Sequence, residues 1–204
     1  TGKTIFNDIV RKEVSFQNEL SEDFIILKSD NFPTYHLANV VDDNDMKISH
    51  VFRAEEWLPS TPKHINLYNA LGYPIPKYGH LPMLLSADRT KLSKRHGATS
   101  ILDLINIGYI PIGLINFLAL LGWSLDDKTE IFQTEELIKN FDIHDLTKSG
   151  AVVDYEKLSW MNGYHIRILD TDSLAKQIYE FWKLNPPKDF ETSTTMEKTK
   201  KIVP

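Results

Sequence analysis

Between residues 24 and 85 the chain changes hydrophobic period four times, and this alternation constrains the fold more than any other feature. Phe24, Ile25, Ile26 and Leu27 form a short β-branched and aromatic run that Ser29, Asp30 and Asn31 stop, so a buried strand ending in a turn is expected. A helix is expected next, with Pro33 in its first turn and an apolar stripe of Tyr35, Leu37, Ala38, Val40 and Val41, ended by the acidic stretch 42–45. Residues 50–53 read as the second strand. Ser60, Thr61 and Pro62 open a helix that runs to Leu71 and stops at Gly72. Residues 81–85 read as a third strand, and strand, helix, strand, helix, strand is the pattern of an α/β parallel sheet.

After Gly97 the character changes. Residues 101–107, 111–121, 134–141, 154–161 and 172–184 each read as amphipathic helices, with no strand signal between them. Pro186, Pro187 and the polar stretch 191–201 read as a linker or a frayed end. With 204 residues and 42% hydrophobic content, the chain can bury one large core or two small ones. The richest apolar stretch, 110–123, is broken by Pro111, Gly113, Asn116 and Gly122, so no membrane span is expected. The absence of cysteine excludes disulfides, thiolate zinc sites and a cysteine nucleophile. None of the seven histidines (36, 50, 64, 80, 96, 144 and 165) stands in an H-E-x-x-H pair, so no metal site and no bound zinc are expected. A net charge of −5 argues against a wholly basic nucleic-acid binder while leaving room for a local basic patch. Thr1-Gly2-Lys3-Thr4 has the tail of a P-loop but lacks its earlier glycine and preceding strand, and an opening of this kind suggests a piece of a longer protein.

That basic patch lies at residues 88–97, where Arg89, Lys91, Lys94 and Arg95 place four permanent charges within seven positions, after a strand and before the helical half. Mutual repulsion makes such a loop mobile until a polyanion binds; a triphosphate would convert the repulsion into binding. On charge alone, a solvated surface loop is the rival reading. The string itself is more specific. Lys91-Leu92-Ser93-Lys94-Arg95 resembles the K-M-S-K-S signature of class I aminoacyl-tRNA synthetases, in the form found in glutamyl enzymes. The resemblance continues through residues 28–43, 50–64, 108–111 and 116–123, in order and at the family's spacing, so the chain resembles bacterial-type glutamyl-tRNA synthetases over most of its length.

The resemblance implies an α/β fold in which residues 1–97 form the second half of a Rossmann-type parallel-sheet catalytic domain. Residues 98–170 would form an all-helical stem-contact domain, and residues 171–204 the truncated start of a helical anticodon-side domain or a tail. It implies that Tyr35 and Asn39 contact glutamate, with His36, Leu37 and Ala38 in the same segment, and that Arg53 meets the substrate's side-chain carboxylate. Glu56, Trp57 and Leu84 would line the ATP site. Lys91, Leu92, Ser93, Lys94 and Arg95 would cover the ATP phosphates, with Lys91 and Lys94 the catalytic pair.

The residue types agree in part with these roles. Tyr35 and Asn39 are four apart and share a helix face, though a core tyrosine beside a solvated asparagine would look the same. An arginine fork fits a carboxylate through two parallel hydrogen bonds and leaves neutral glutamine poorly compensated; the bland alternative is a salt bridge to Glu55 or Glu56. Glu56 and Trp57 can equally be a helix-entry charge and a core anchor.

The implied reaction uses ATP with Mg²⁺ as substrate. The carboxylate of L-glutamate attacks the α-phosphate to give glutamyl-adenylate, and the glutamyl group then passes to the terminal ribose of tRNA(Glu). Neither step needs a protein nucleophile, so positioning and electrostatics carry the catalysis. The implied protein is a monomer of the bacterial cytoplasm, or alternatively of an organellar matrix, with no membrane partner. Two departures from the family pattern bear on this. The H-x-G-H signature occurs at none of the histidines and would lie upstream of Thr1, so the isolated chain is expected not to form adenylate. Asn31 replaces a usual glycine in a turn that favours positive φ, which asparagine tolerates next best. Lys148, Lys157 and Arg167 are either phosphate contacts or a solvated face. Rival readings are a shortened paralogue that glutamylates a tRNA base, a glutaminyl enzyme, and a non-catalytic tRNA-binding or regulatory paralogue.

Overall fold

The computed structural model describes residues 2–93, 100–126, 128–187, 196–201 and 203. It divides into two compact units, one formed by Thr1–Met83 with Asp142–Gly150 and the other by Leu84–Phe141 with Ala151–Pro204.

The first unit is built on a four-stranded sheet of β1 (Lys3–Asp8), β2 (Lys12–Gln17), β3 (His50–Ala54) and β4 (Lys77–Leu81), in the order β2-β1-β4-β3. Strand β4 runs parallel to both β1 and β3, whereas β2 returns antiparallel beside β1. The sheet is therefore mixed, and its hairpin edge lies in a segment for which no strand was expected. Helices α1 (Tyr35–Asp45) and α2 (Thr61–Leu71) pack together through Val40, Leu67 and Tyr68, with Phe24 and Tyr73 at the margin. Gly72 ends α2 at φ 70°, as the sequence indicates, because a left-handed cap residue is best served by a side chain without Cβ.

Four local expectations for this unit fail for identifiable reasons. Residues 24–27 are not a strand. Ile25 and Leu27 stay 71% and 50% exposed, and the segment bonds to its own return through Thr34 N to Ile26 O (2.9 Å) and Lys28 N to Phe32 O (2.9 Å) around Asn31 at φ 65°. Pro33 lies outside α1, whose N-cap is Thr34. The acidic stretch does not stop α1, since aspartate costs a helix only a few tenths of a kcal/mol. Termination comes instead from Lys47 at φ 57°, with Ile48 N closing on Asp43 O at 2.8 Å. The third strand comes earlier than expected, at 77–81, and Pro82, which has no N–H to give a ladder, separates it from β5 (Leu84–Leu85).

The second unit contains α3 (Ile101–Asn106), α4 (Pro111–Leu120), α5 (Thr134–Asn140), α6 (Tyr155–Arg167), α7 (Thr171–Leu184) and α8 (Met196–Lys200). All five helices read from the sequence are present, and α6 extends to Arg167. The all-helical reading needs correction, because β6 (Ala151–Val152) pairs in parallel with β5. A two-residue strand is too short to show a period of two, which is why it left no signal. The core gathers Leu104, Leu114, Phe117, Val153, Leu158 and Met161. Among the described residues no helix is long and apolar enough to cross a membrane.

Candidate functional site

Side chains alternate along β3: His50 and Phe52 stack on one face with centroids 6.5 Å apart, and Val51 and Arg53 take the other. The parallel register sets Arg53 beside His80 of β4. Arg53 Nε donates to His80 Nε2 (3.0 Å), one terminal nitrogen to His64 Nδ1 (3.1 Å) and the other to Thr61 Oγ1 (2.8 Å). The guanidinium carbon lies 5.2 Å from the centre of the Tyr78 ring. Among the described residues, three of the five N–H groups of an arginine are thus used, all by uncharged acceptors, and two remain. Glu55, one of the two carboxylates in the salt-bridge alternative, is engaged elsewhere. It pairs with Arg11 and accepts from Met83 N at 3.1 Å.

Donor logic assigns the protons. Arginine only donates, so His80 Nε2 and His64 Nδ1 carry lone pairs. His80 therefore holds its proton on Nδ1 and gives it to Asp8 Oδ2 at 2.6 Å, while His64 holds its proton on Nε2 and gives it to His36 Nδ1 at 2.8 Å. Asp8 and His80 are both fully buried. Burial alone would raise the Asp8 carboxyl, but hydrogen bonds from the His80 side chain and from the Arg11 and His80 amides outweigh it and leave the pKa below the usual 3.8. His64 is pushed down to about 4, first by burial and then by the charge of Arg53. Burial also lowers His36, assisted by Lys63 and Arg53. Burial also lowers the Arg53 guanidinium, with Tyr78, Tyr35, Asp43 and Asp8 working the other way.

Of the residues singled out from the sequence, Tyr35, His36, Arg53 and Trp57 come together in this unit. The Tyr35 ring, 53% exposed on the first turn of α1, lies 5.2 Å from Trp57 and 6.3 Å from His64. Leu37 and Ala38 follow, half-buried, in the same helix. Asn39 donates to Asp43 at 3.3 Å, one turn further on. Glu56 is exposed in the 3-10 turn Glu55–Ser60, which also carries Trp57. A cavity of about 590 Å³ lined by Asp43, Tyr68 and Pro76 includes neither Arg53 nor Tyr35, and so is not this site. Asp8, Thr61, His64, Tyr78 and His80 were not assigned from the sequence. Tyr78 and His80 share a face of β4 and stack at 6.0 Å, an alternation hidden by reading the strand four residues late.

In the second unit, residues 84–92 form a tight hairpin that holds the first part of the basic stretch; residues 94–97 of that stretch lie outside the described residues. Leu92 N bonds to Leu84 O (2.9 Å) and Ser86 N to Thr90 O (2.9 Å), with Arg89 at φ 62°. Asp88 braces the turn, since its Oδ1 accepts from Ser86 Oγ (2.5 Å), Thr90 N (3.0 Å) and Thr90 Oγ1 (2.8 Å). Leu84 pairs with Ala151, Lys91 bridges to Leu85, and Leu92 packs against the helical core. Ser93 follows it; Lys94 and Arg95 lie outside the described residues.

Parallel strands thus present an arginine among neutral acceptors, and a basic turn follows a strand directly. Residues 1–160 match the family described as tRNA synthetases class I (E and Q), catalytic domain, and the chain belongs to that family. A glutamate–tRNA ligase of Dehalococcoides mccartyi is 53% identical over 203 residues, which is 100% of this chain and 42% of that protein. Glutamate–tRNA ligase 1 of Caldanaerobacter subterraneus is 49% identical over 180 residues, 88% of this chain and 37% of the relative. A glutamate tRNA ligase from Elizabethkingia meningosepticum, crystallised in complex with its amino acid, superposes with a TM-score of 0.80 at 34% identity, over 99% of this chain and 43% of that one. The chain thus spans about 42% of the length of the first of these curated relatives.

Proposed function

We propose that the protein to which this chain belongs ligates L-glutamate to tRNA(Glu) through glutamyl-adenylate, at the expense of ATP. The observation that carries this reading is Arg53: a permanent cation, half-buried, held by neutral partners, with two N–H groups left over. An acidic side chain satisfies that arrangement, and a neutral amide does not. Tyr35 and Asn39, with His36, Leu37 and Ala38, form the remainder of the glutamate pocket. Glu56, Trp57 and Leu84 serve ATP. Lys91 and Lys94, flanked by Leu92, Ser93 and Arg95, stabilise charge on the phosphates as pyrophosphate leaves.

Among the described residues no group of three or more His, Cys, Asp or Glu side chains is arranged to hold a metal ion, so no residue is assigned to Mg²⁺. The ion enters with ATP, as it does where substrate phosphates supply most of its ligands. The functional division is residues 1–97 for catalysis, 98–170 for the tRNA stem and 171–204 for the start of the anticodon side. It differs from the compact units, which part after Met83. The protein acts as a monomer in the cytoplasm.

The test is glutamate-dependent ATP–pyrophosphate exchange by the full-length protein with tRNA present. Arg53→Gln removes a desolvated charge and is expected to raise the KM for glutamate roughly a hundredfold or more, from a loss on the order of 2–5 kcal/mol. An unchanged KM would reject the assignment.

A further inference from the structure

The hydrogen-bond partners of Arg53 among the described residues share one property: none is charged. A carboxylate in the same place would hold the guanidinium more tightly but would also neutralise it. His64 and His80 hold it by lone pairs, from opposite tautomers. His80 is fixed as an acceptor at Nε2 because its Nδ1 proton goes to buried Asp8 (2.6 Å), and His64 as an acceptor at Nδ1 because its Nε2 proton goes to His36 (2.8 Å). Thr61 Oγ1, which accepts from Arg53, also lies 3.2 Å from His80 Nε2 and closes the ring of contacts.

We infer that His64 and His80 are positioning residues for carboxylate recognition, a neutral cradle that orients Arg53 while leaving its charge and two of its N–H groups to the substrate. This rests on the glutamate-ligating function proposed above. His64 is the member that acid can disarm. The groups facing it are Arg53 from β3, His80 from β4, and His36 and Tyr35 from α1. A second proton on His64 would turn its acceptor nitrogen into a donor and set a cation against a cation. The depressed affinity of His64 for protons keeps the cradle intact at neutral pH.

In the full-length protein, His64→Leu removes the acceptor, whereas His64→Asn can present an amide oxygen close to the position of Nδ1. His64→Leu is expected to raise the KM for glutamate at least tenfold while kcat and the KM for ATP stay within threefold. His64→Asn is expected to restore the KM to within threefold of the parent and to remove the acid limb of kcat/KM for glutamate. An unchanged KM in His64→Leu, or a His64→Asn as impaired as His64→Leu, overturns the inference. The ring-nitrogen ¹⁵N shifts of the unmodified protein give an independent decision, including when His64→Leu does not fold. Unprotonated His64 Nδ1 and His80 Nε2 at pH 7 support the cradle, and the reverse tautomers overturn it. Absence of glutamate-dependent exchange in the parent protein, with the expected tautomers present, would reject the ligase reading and leave the arginine cradle standing.

Discussion

Asp8 shows how far a single residue can act from the chemistry it serves. Its carboxylate takes four hydrogen bonds, from the amides of Val10 (3.0 Å), Arg11 (2.8 Å) and His80 (3.1 Å) and from His80 Nδ1 (2.6 Å). It thereby selects the His80 tautomer that Arg53 requires. Asp8→Asn would turn an amide NH₂ or a weaker oxygen toward these donors, and a buried donor left unsatisfied costs about 1–3 kcal/mol. Urea unfolding of the full-length protein is expected to show a loss of that order, together with a weaker response to glutamate. The carboxyl is held below its usual 3.8, so its contribution is complete above that pH and is lost as pH falls from there through the folded-state value. None of this was legible in the sequence, because Asp8 and His80 are separated by 72 positions and nothing local marks either as a partner. Arg53 was legible, being part of a contiguous string at a strand end.

At the scale of elements, α4 and α6 depend on a glycine where they meet. A Cβ at Gly113 would stand 2.9 Å from Asn162 Oδ1 and 3.1 Å from its Cα. Asn162 Oδ1 also accepts from Ile110 N at 2.9 Å and so secures the start of α4. A methyl group there must push the helix backbones apart, and overpacking of this kind costs about 1–3 kcal/mol. Gly113→Ala is therefore expected to lower the melting temperature of the full-length protein, and an unchanged melting temperature would show that α6 can shift freely. The helices themselves were readable because each repeats its apolar period over more than one turn. Strands β5 and β6, two residues apiece, offer no period to read. The run at 24–27 had strand composition but found no neighbouring strand, and composition without a partner does not make a sheet.

For the molecule as a whole, three histidines make folding sensitive to acid. His36 and His64 are lowered by burial with nearby cations, and His165 by burial. His165 donates from Nε2 to Asn116 Oδ1 at 2.9 Å, while its buried Nδ1 has no acceptor for a second proton among the described residues. A base whose folded pKa lies below its unfolded value binds fewer protons when folded, so stability is lost as pH drops from the unfolded value to the folded one. For His64 that window runs from 6.5 down to about 4, and the penalty approaches about 3 kcal/mol at about 1.4 kcal/mol per unit. Denaturant unfolding at pH 7, 5.5 and 4.5 is expected to show a falling midpoint, smaller in His64→Asn; a flat profile would show that the histidines are solvated. The sequence by itself determined the helical second half, the arginine after a strand and the basic string, because periodicity and contiguous motifs are properties of neighbours along the chain. Only the tertiary structure decided which groups hold that arginine. Asp8, Arg53, His64 and His80 sit on β1, β3, α2 and β4, and a slip of one residue in the β3–β4 register would turn Arg53 to the opposite face.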